Sequence, residues 1–89
     1  MEHELKTDPT VYDQVDGGAK TCELRKDDRD FKTGDVLRLR KTRYTGKEMR
    51  SGAPLEYTGE ETSRKVTHIL KGPIYGLAEG WAILSMNRL

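Results

Sequence analysis

Three stretches of this 89-residue chain alternate apolar and polar side chains with period two, and that pattern limits the fold more than any other feature. In Lys20 to Arg25, Cys22 and Leu24 take one face and Thr21, Glu23 and Arg25 the other. In Val36 to Arg40, Leu37 and Leu39 oppose Val36, Arg38 and Arg40. In Arg64 to Leu70, Val66, His68 and Leu70 oppose Thr67 and Ile69. Each stretch has the pattern of a strand buried on one side. Trp81-Ala82-Ile83-Leu84-Ser85-Met86 is the most apolar run and reads as a buried final strand, while Glu2 to Lys6 suits a first or edge strand.

The connections supply the helices. Asp8-Pro9 gives an N-cap and a proline at the first helical position, where its missing N–H costs nothing. Val11, Tyr12 and Val15 then form a buried stripe, and Gly17-Gly18 stops the helix in left-handed conformations. Thr33-Gly34-Asp35 reads as a tight turn. Residues 42–63 are rich in Thr, Gly, Ser and Glu, and two readings stand: a flexible loop, or a protruding hairpin whose arms are Tyr44-Thr45-Gly46 and Tyr57-Thr58-Gly59. The expected architecture over 1–89 is one α+β domain, a small mixed β-barrel of about five strands with one or two short helices.

Composition narrows the function. With 34% hydrophobic residues the chain can fill one modest core. Net charge is +1 although 35% of residues are charged, so attraction to a polyanion has to come from a local patch. Arg38, Arg40, Lys41, Arg43, Lys47 and Arg50 face a single Glu48 within that segment, with Tyr44 available for stacking. They make the nucleic-acid backbone candidate, unless Glu56, Glu60, Glu61 and the acidic N-terminal segment offset them. Cys22 is the only cysteine, which excludes an intrachain disulfide and fits a reducing compartment, so a cytoplasmic location is expected. No signal peptide and no membrane span is expected, since no apolar run approaches about 18 residues. His3 and His68 have no ligand-like spacing, and neither a metal nor a cofactor is expected.

Gly18, Lys20, Glu23 and Arg25 form the pattern GxKxxExR. It is followed by Gly34-Asp35-Val36-Leu37, a YTG ahead of the strand around His68-Ile69-Leu70, and a closing Gly80-Trp81-x-x-Leu84-Ser85. In this order the motifs resemble the ASCH domains of the PUA-like superfamily over essentially the whole chain. HELK and ELRKDDRDFKTGD are similar to short uncharacterised ASCH-related proteins of bacteria and their phages. The resemblance implies a PUA-like β-barrel, a cleft beside the motif, and a role in binding RNA or a modified nucleoside or nucleotide. One branch of ASCH proteins hydrolyses acetylated cytidine; by motif position Lys20 matches its lysine and Thr21 its threonine. The third catalytic residue stays open between Glu79 and Glu56.

The chemistry is consistent with a ligand site at Gly18, Lys20, Glu23 and Arg25. The Arg25 guanidinium offers a planar fork to a phosphate or carboxylate, and Glu23 on the same face can orient it or accept from the exocyclic amine of a base. The alternative is a solvated strand edge with a surface salt bridge. Under strict period two Lys20 falls opposite Glu23 and joins the site only through an irregular backbone after Gly17-Gly18; partly desolvated beside Arg25, it would then be a base or nucleophile, with Thr21 as the other nucleophile. Lys26 to Asp30 reads as a charged turn. Cys22, Tyr12, Phe31 and His68 read as packing residues, as does Trp81, whose alternative is to stack on a base. Three functions follow: RNA or nucleotide binding, amide hydrolysis of an acylated nucleoside, and docking of a phage or mobile-element accessory protein on a host protein.

Overall fold

In the computed structural model, which describes residues 1–89, each alternating stretch is a strand. The order is β1 (Glu2–Thr7), α1 (Pro9–Asp16), β2 (Cys22–Lys26), β3 (Val36–Thr42), α2 (Gly46–Arg50), β4 (Tyr57–Lys71) and β5 (Trp81–Arg88). All five strands join one sheet in the order β1-β3-β4-β5-β2. β1 runs parallel to β3 and the other pairs are antiparallel. The sheet twists and curls into a half-barrel, giving a small mixed α+β fold with β1 and β2 at its two edges. Neither helix is long and apolar enough to cross a membrane.

The hollow of the half-barrel holds the core. Leu5, Leu37, Leu39, Val66, Ala82, Leu84 and Met86 enter from strands, Val15 from α1 and Phe31 from the β2–β3 connection. Each large side chain here contributes roughly 1.5–3 kcal/mol by leaving water. Helix α1 packs against β3 and buries Tyr12 and Val15. Its C-terminal end is held by the buried Arg64, whose Nη2 donates to the Val15 carbonyl at 3.0 Å, placing a cation where the helix dipole favours one.

Several expectations need correction. Asp8 occupies the N-cap position of α1 but makes no side-chain cap; its Oδ1 instead accepts the Gly46 N–H at 3.1 Å and ties α1 to α2. Gly17 is right-handed, so only Gly18, with φ of 87°, uses the left-handed region. In β2 the expected faces are exchanged: Glu23 is buried while Cys22 and Leu24 are exposed. His68 is exposed, because a bulge between Val66 and His68 breaks the alternation and turns Ile69 toward the core in its place. Trp81 begins β5 at the rim and keeps 39% of its surface exposed, so it is not a core residue.

Within 42–63, Thr42 pairs with Tyr57, so β3 and β4 form the arms of a hairpin. The connection contains α2, opened by a capping box in which the Thr45 hydroxyl accepts from Glu48 N–H and the Glu48 carboxylate accepts from Thr45 N–H. Tyr44 belongs to this connection and not to an arm.

Candidate functional site

The edges β1 and β2 have no backbone ladder between them. Two guanidinium groups span the seam: Arg25 Nη2 donates to the Lys6 carbonyl at 2.9 Å, and Arg29 Nη1 donates to the Glu4 carbonyl at 2.6 Å. On one side of Arg25 lies a cleft of about 320 Å³ lined by Lys6, Thr7, Asp8, Val11, Lys20, Glu23, Leu24 and Arg25. Local backbone explains how Lys20 reaches it. Gly18 turns the chain through its positive φ, the Lys20 N–H bonds the Gln14 carbonyl at 3.0 Å, and β2 begins only at Cys22. Lys20 therefore precedes the strand and is not bound by its two-residue period.

Glu23 is 4% exposed and sits between two cations. Lys20 Nζ donates to Oε1 at 2.9 Å and Arg25 Nε donates to Oε2 at 3.2 Å. Lys20 gives a second bond to the Cys22 carbonyl. A buried carboxylate needs such partners, since leaving it unpaired costs several kcal/mol of desolvation. The cluster carries one positive charge in excess, and Arg25 Nη1 has no hydrogen-bond partner within the protein. The cleft thus offers a free planar donor beside carboxylate oxygens that each retain acceptor capacity.

A family model described as a domain of unknown function, DUF3850, matches residues 2–86. The chain belongs to the DUF3850 family. No curated protein matches it. The matched span runs from β1 into β5 and includes both edges of the seam and the Lys20–Glu23–Arg25 cluster.

The other sequence candidates distribute unevenly over this DUF3850 domain. Gly18 and Thr21 line a separate cleft of about 180 Å³ with Arg64 and Arg88, and Lys20 borders both clefts. Thr21 is therefore not brought together with Glu23 and Arg25. Glu56 faces Arg43 at 3.2 Å, and Glu79 is exposed in the β4–β5 connection; neither lines any of the clefts.

The basic segment is mostly paired with acids. Arg38 makes a two-pronged bond to Glu61, Arg40 meets Glu4 and Glu61, Lys41 meets Asp13 and Glu60, and Arg43 meets Glu56. Arg40 also stacks over the Tyr57 ring at 3.7 Å. These partners hold the Arg38 and Lys41 groups in their charged form, the Glu61 and Asp13 hydrogen bonds being the largest causes. Lys47, on α2, is exposed and without a carboxylate partner.

On the other side of Arg25 is a second cleft, of about 270 Å³, lined by Leu5, Leu24, Arg25, Lys26, Asp28, Arg29, Phe31 and Trp81. Lys6, Asp8 and Arg29 line these clefts without having been singled out as site residues from the sequence. The sequence already suits β1 to an edge; what it does not announce is that β2 forms the other edge and brings Arg25 opposite Lys6.

Proposed function

We propose that this DUF3850 domain is an ASCH-like, PUA-type module that binds RNA or a nucleotide, reading a base in the cleft of Lys20, Glu23 and Arg25. One observation carries the reading: a buried carboxylate clamped by two cations at an open seam, with Arg25 Nη1 still free. Glu23 suits an exocyclic amine such as the N4 amine of cytosine, and Arg25 suits a base carbonyl or a phosphate. The order of motifs along the chain supports the same reading.

Binding is preferred to hydrolysis of an acylated nucleoside. Lys20 and Thr21 share the smaller cleft, but Lys20 Nζ is bonded to Glu23 and to the Cys22 carbonyl and no carboxylate lines that cleft, so the pair has no acid or base beside it there. Calorimetric titration of the four common ribonucleosides, their 5′-monophosphates and acetylcytidine tests this. Saturable binding of at least one, weakened roughly tenfold or more by Glu23→Gln and by Arg25→Ala, is expected, with no release of acetate. Acetate release that Lys20→Ala abolishes would establish the hydrolase instead. No affinity for any of these ligands would remove the reading and leave docking on a partner protein.

A further inference from the structure

Of sixteen Lys and Arg residues, those on the outer face of β3 are held by carboxylates, whereas Lys6, Lys26 and Arg29 have no ion-pair partner and all three line the seam. A free cationic field therefore lies along the β1–β2 gap. In the Trp81 cleft this field coincides with apolar surface: Trp81 is 39% and Leu24 56% exposed, above the buried Leu5 and Phe31. Exposing a tryptophan and a leucine side by side costs the fold burial it could otherwise have had, and the cations around them outnumber the single Asp28. The occupant that fits both features has a flat aromatic face and a negative charge. The two clefts share Leu24 and Arg25, so an occupant of one abuts an occupant of the other.

We propose that the Trp81 cleft is a second nucleotide subsite and that the ligand is a single-stranded oligonucleotide of at least two residues, not a lone nucleoside. This rests on the base-reading role of the Glu23 cleft and assigns the neighbouring position. The adjoining base stacks on Trp81, and the phosphates meet Lys26, Arg29 and the shared Arg25. Stacking tolerates any base, so this subsite adds affinity and length preference, while the choice of base stays with Glu23.

Trp81 is the only tryptophan, so its fluorescence reports on this subsite directly. The test titrates the dinucleoside monophosphates ApA, CpC, GpG and UpU beside the four ribonucleosides, following Trp81 emission and heat. At least one dinucleotide is expected to bind roughly tenfold tighter than its nucleoside and to quench Trp81. Trp81→Ala should bring that dinucleotide back to about the nucleoside's affinity. Trp81→Phe should retain most of the gain, which guards against a folding defect, and Lys26→Ala should reduce both the gain and its salt dependence.

Dinucleotides that bind no tighter than nucleosides, or that leave Trp81 emission unchanged, overturn the subsite while leaving the Glu23 reading intact. If neither nucleosides nor dinucleotides bind, both readings fall together. Nucleoside binding lost in Glu23→Gln but dinucleotide binding kept through Trp81 would reverse the order of the two subsites and overturn the proposal as stated.

Discussion

Asp35 closes the turn ahead of β3 by gathering donors: Nε2 of His3 lies 2.7 Å from its Oδ2, and the Lys32 N–H donates to the same oxygen at 3.0 Å. The His3 contact, with the Lys32 N–H behind it, holds the Asp35 carboxyl at about 2, below the usual 3.8, against the opposing effect of burial. Because this pKa is depressed on folding, the ionised form stabilises the native state at every pH above about 4. That contribution is lost as pH falls from the unfolded value toward 2. Asp35→Asn should therefore be less stable than the parent by about 1–2 kcal/mol at pH 7, with the difference shrinking between pH 4 and pH 2. Urea unfolding at a series of pH values measures it, and a difference independent of pH would refute the assignment. Glu23 is a second buried carboxylate held by donors, Lys20 and Arg25. Removing it as Glu23→Ala leaves Lys20 and Arg25 side by side without their acceptor, and should cost about 1–3 kcal/mol. Lys20→Ala, which takes away a side chain 29% exposed, should cost under about 1 kcal/mol. The same unfolding experiment ranks the two.

At the level of elements, β3 and the end of β2 both present cations and use them differently. On β3 the cations are matched by Glu61, Glu4, Asp13 and Glu60 on neighbouring elements, whereas Lys26 and Arg29, at and beyond the end of β2, have no carboxylate opposite. Arg38→Ala/Arg40→Ala should thus change oligonucleotide affinity less than about twofold. Lys26→Ala/Arg29→Ala should weaken it and flatten the dependence on salt by roughly one ion for each phosphate left without its cation. Titrations at three salt concentrations decide between the two faces. The elements also differ in how openly the sequence displays them. Leu37 and Leu39 announce the inward face of β3 because both faces follow hydropathy. In β2 the same rule misassigns the faces, since the buried member is Glu23, placed inward against hydropathy and satisfied by Lys20 ahead of the strand and by Arg25 two residues along it. The bulge in β4 leaves no mark, as Thr67 is unremarkable in a strand, and it alone moves His68 from the inner to the outer face. The terminal run from Trp81 to Met86 is legible as a strand, but its tryptophan lies at the rim, where local composition carries no information about exposure.

For the whole molecule the decisive property is that the curled sheet does not close. Backbone pairing around β1-β3-β4-β5-β2 leaves the seam to Arg25 and Arg29, which bond carbonyls of Lys6 and Glu4 across it. In a strand the N–H and C=O of one residue point to the same side, so the N–H groups of Glu4 and Lys6 also face the gap. Such edges exchange hydrogen readily, and local opening there is easier than in β3–β4–β5, where each strand has two neighbours. A ligand lying along the seam would act as the missing closure. At a hundred times its Kd a dinucleotide should stabilise the fold by about 2.7 kcal/mol, raising Tm by roughly ten degrees or more for a chain of this size. Protection against hydrogen exchange should rise at Glu4, Lys6 and the β2 residues, and not at α2. The variant Arg25→Ala/Arg29→Ala should exchange faster at those β1 amides without ligand and gain little from adding it. A Tm shift accompanied by protection confined to the β3–α2–β4 hairpin would place the binding surface on the paired basic segment and rule out the seam.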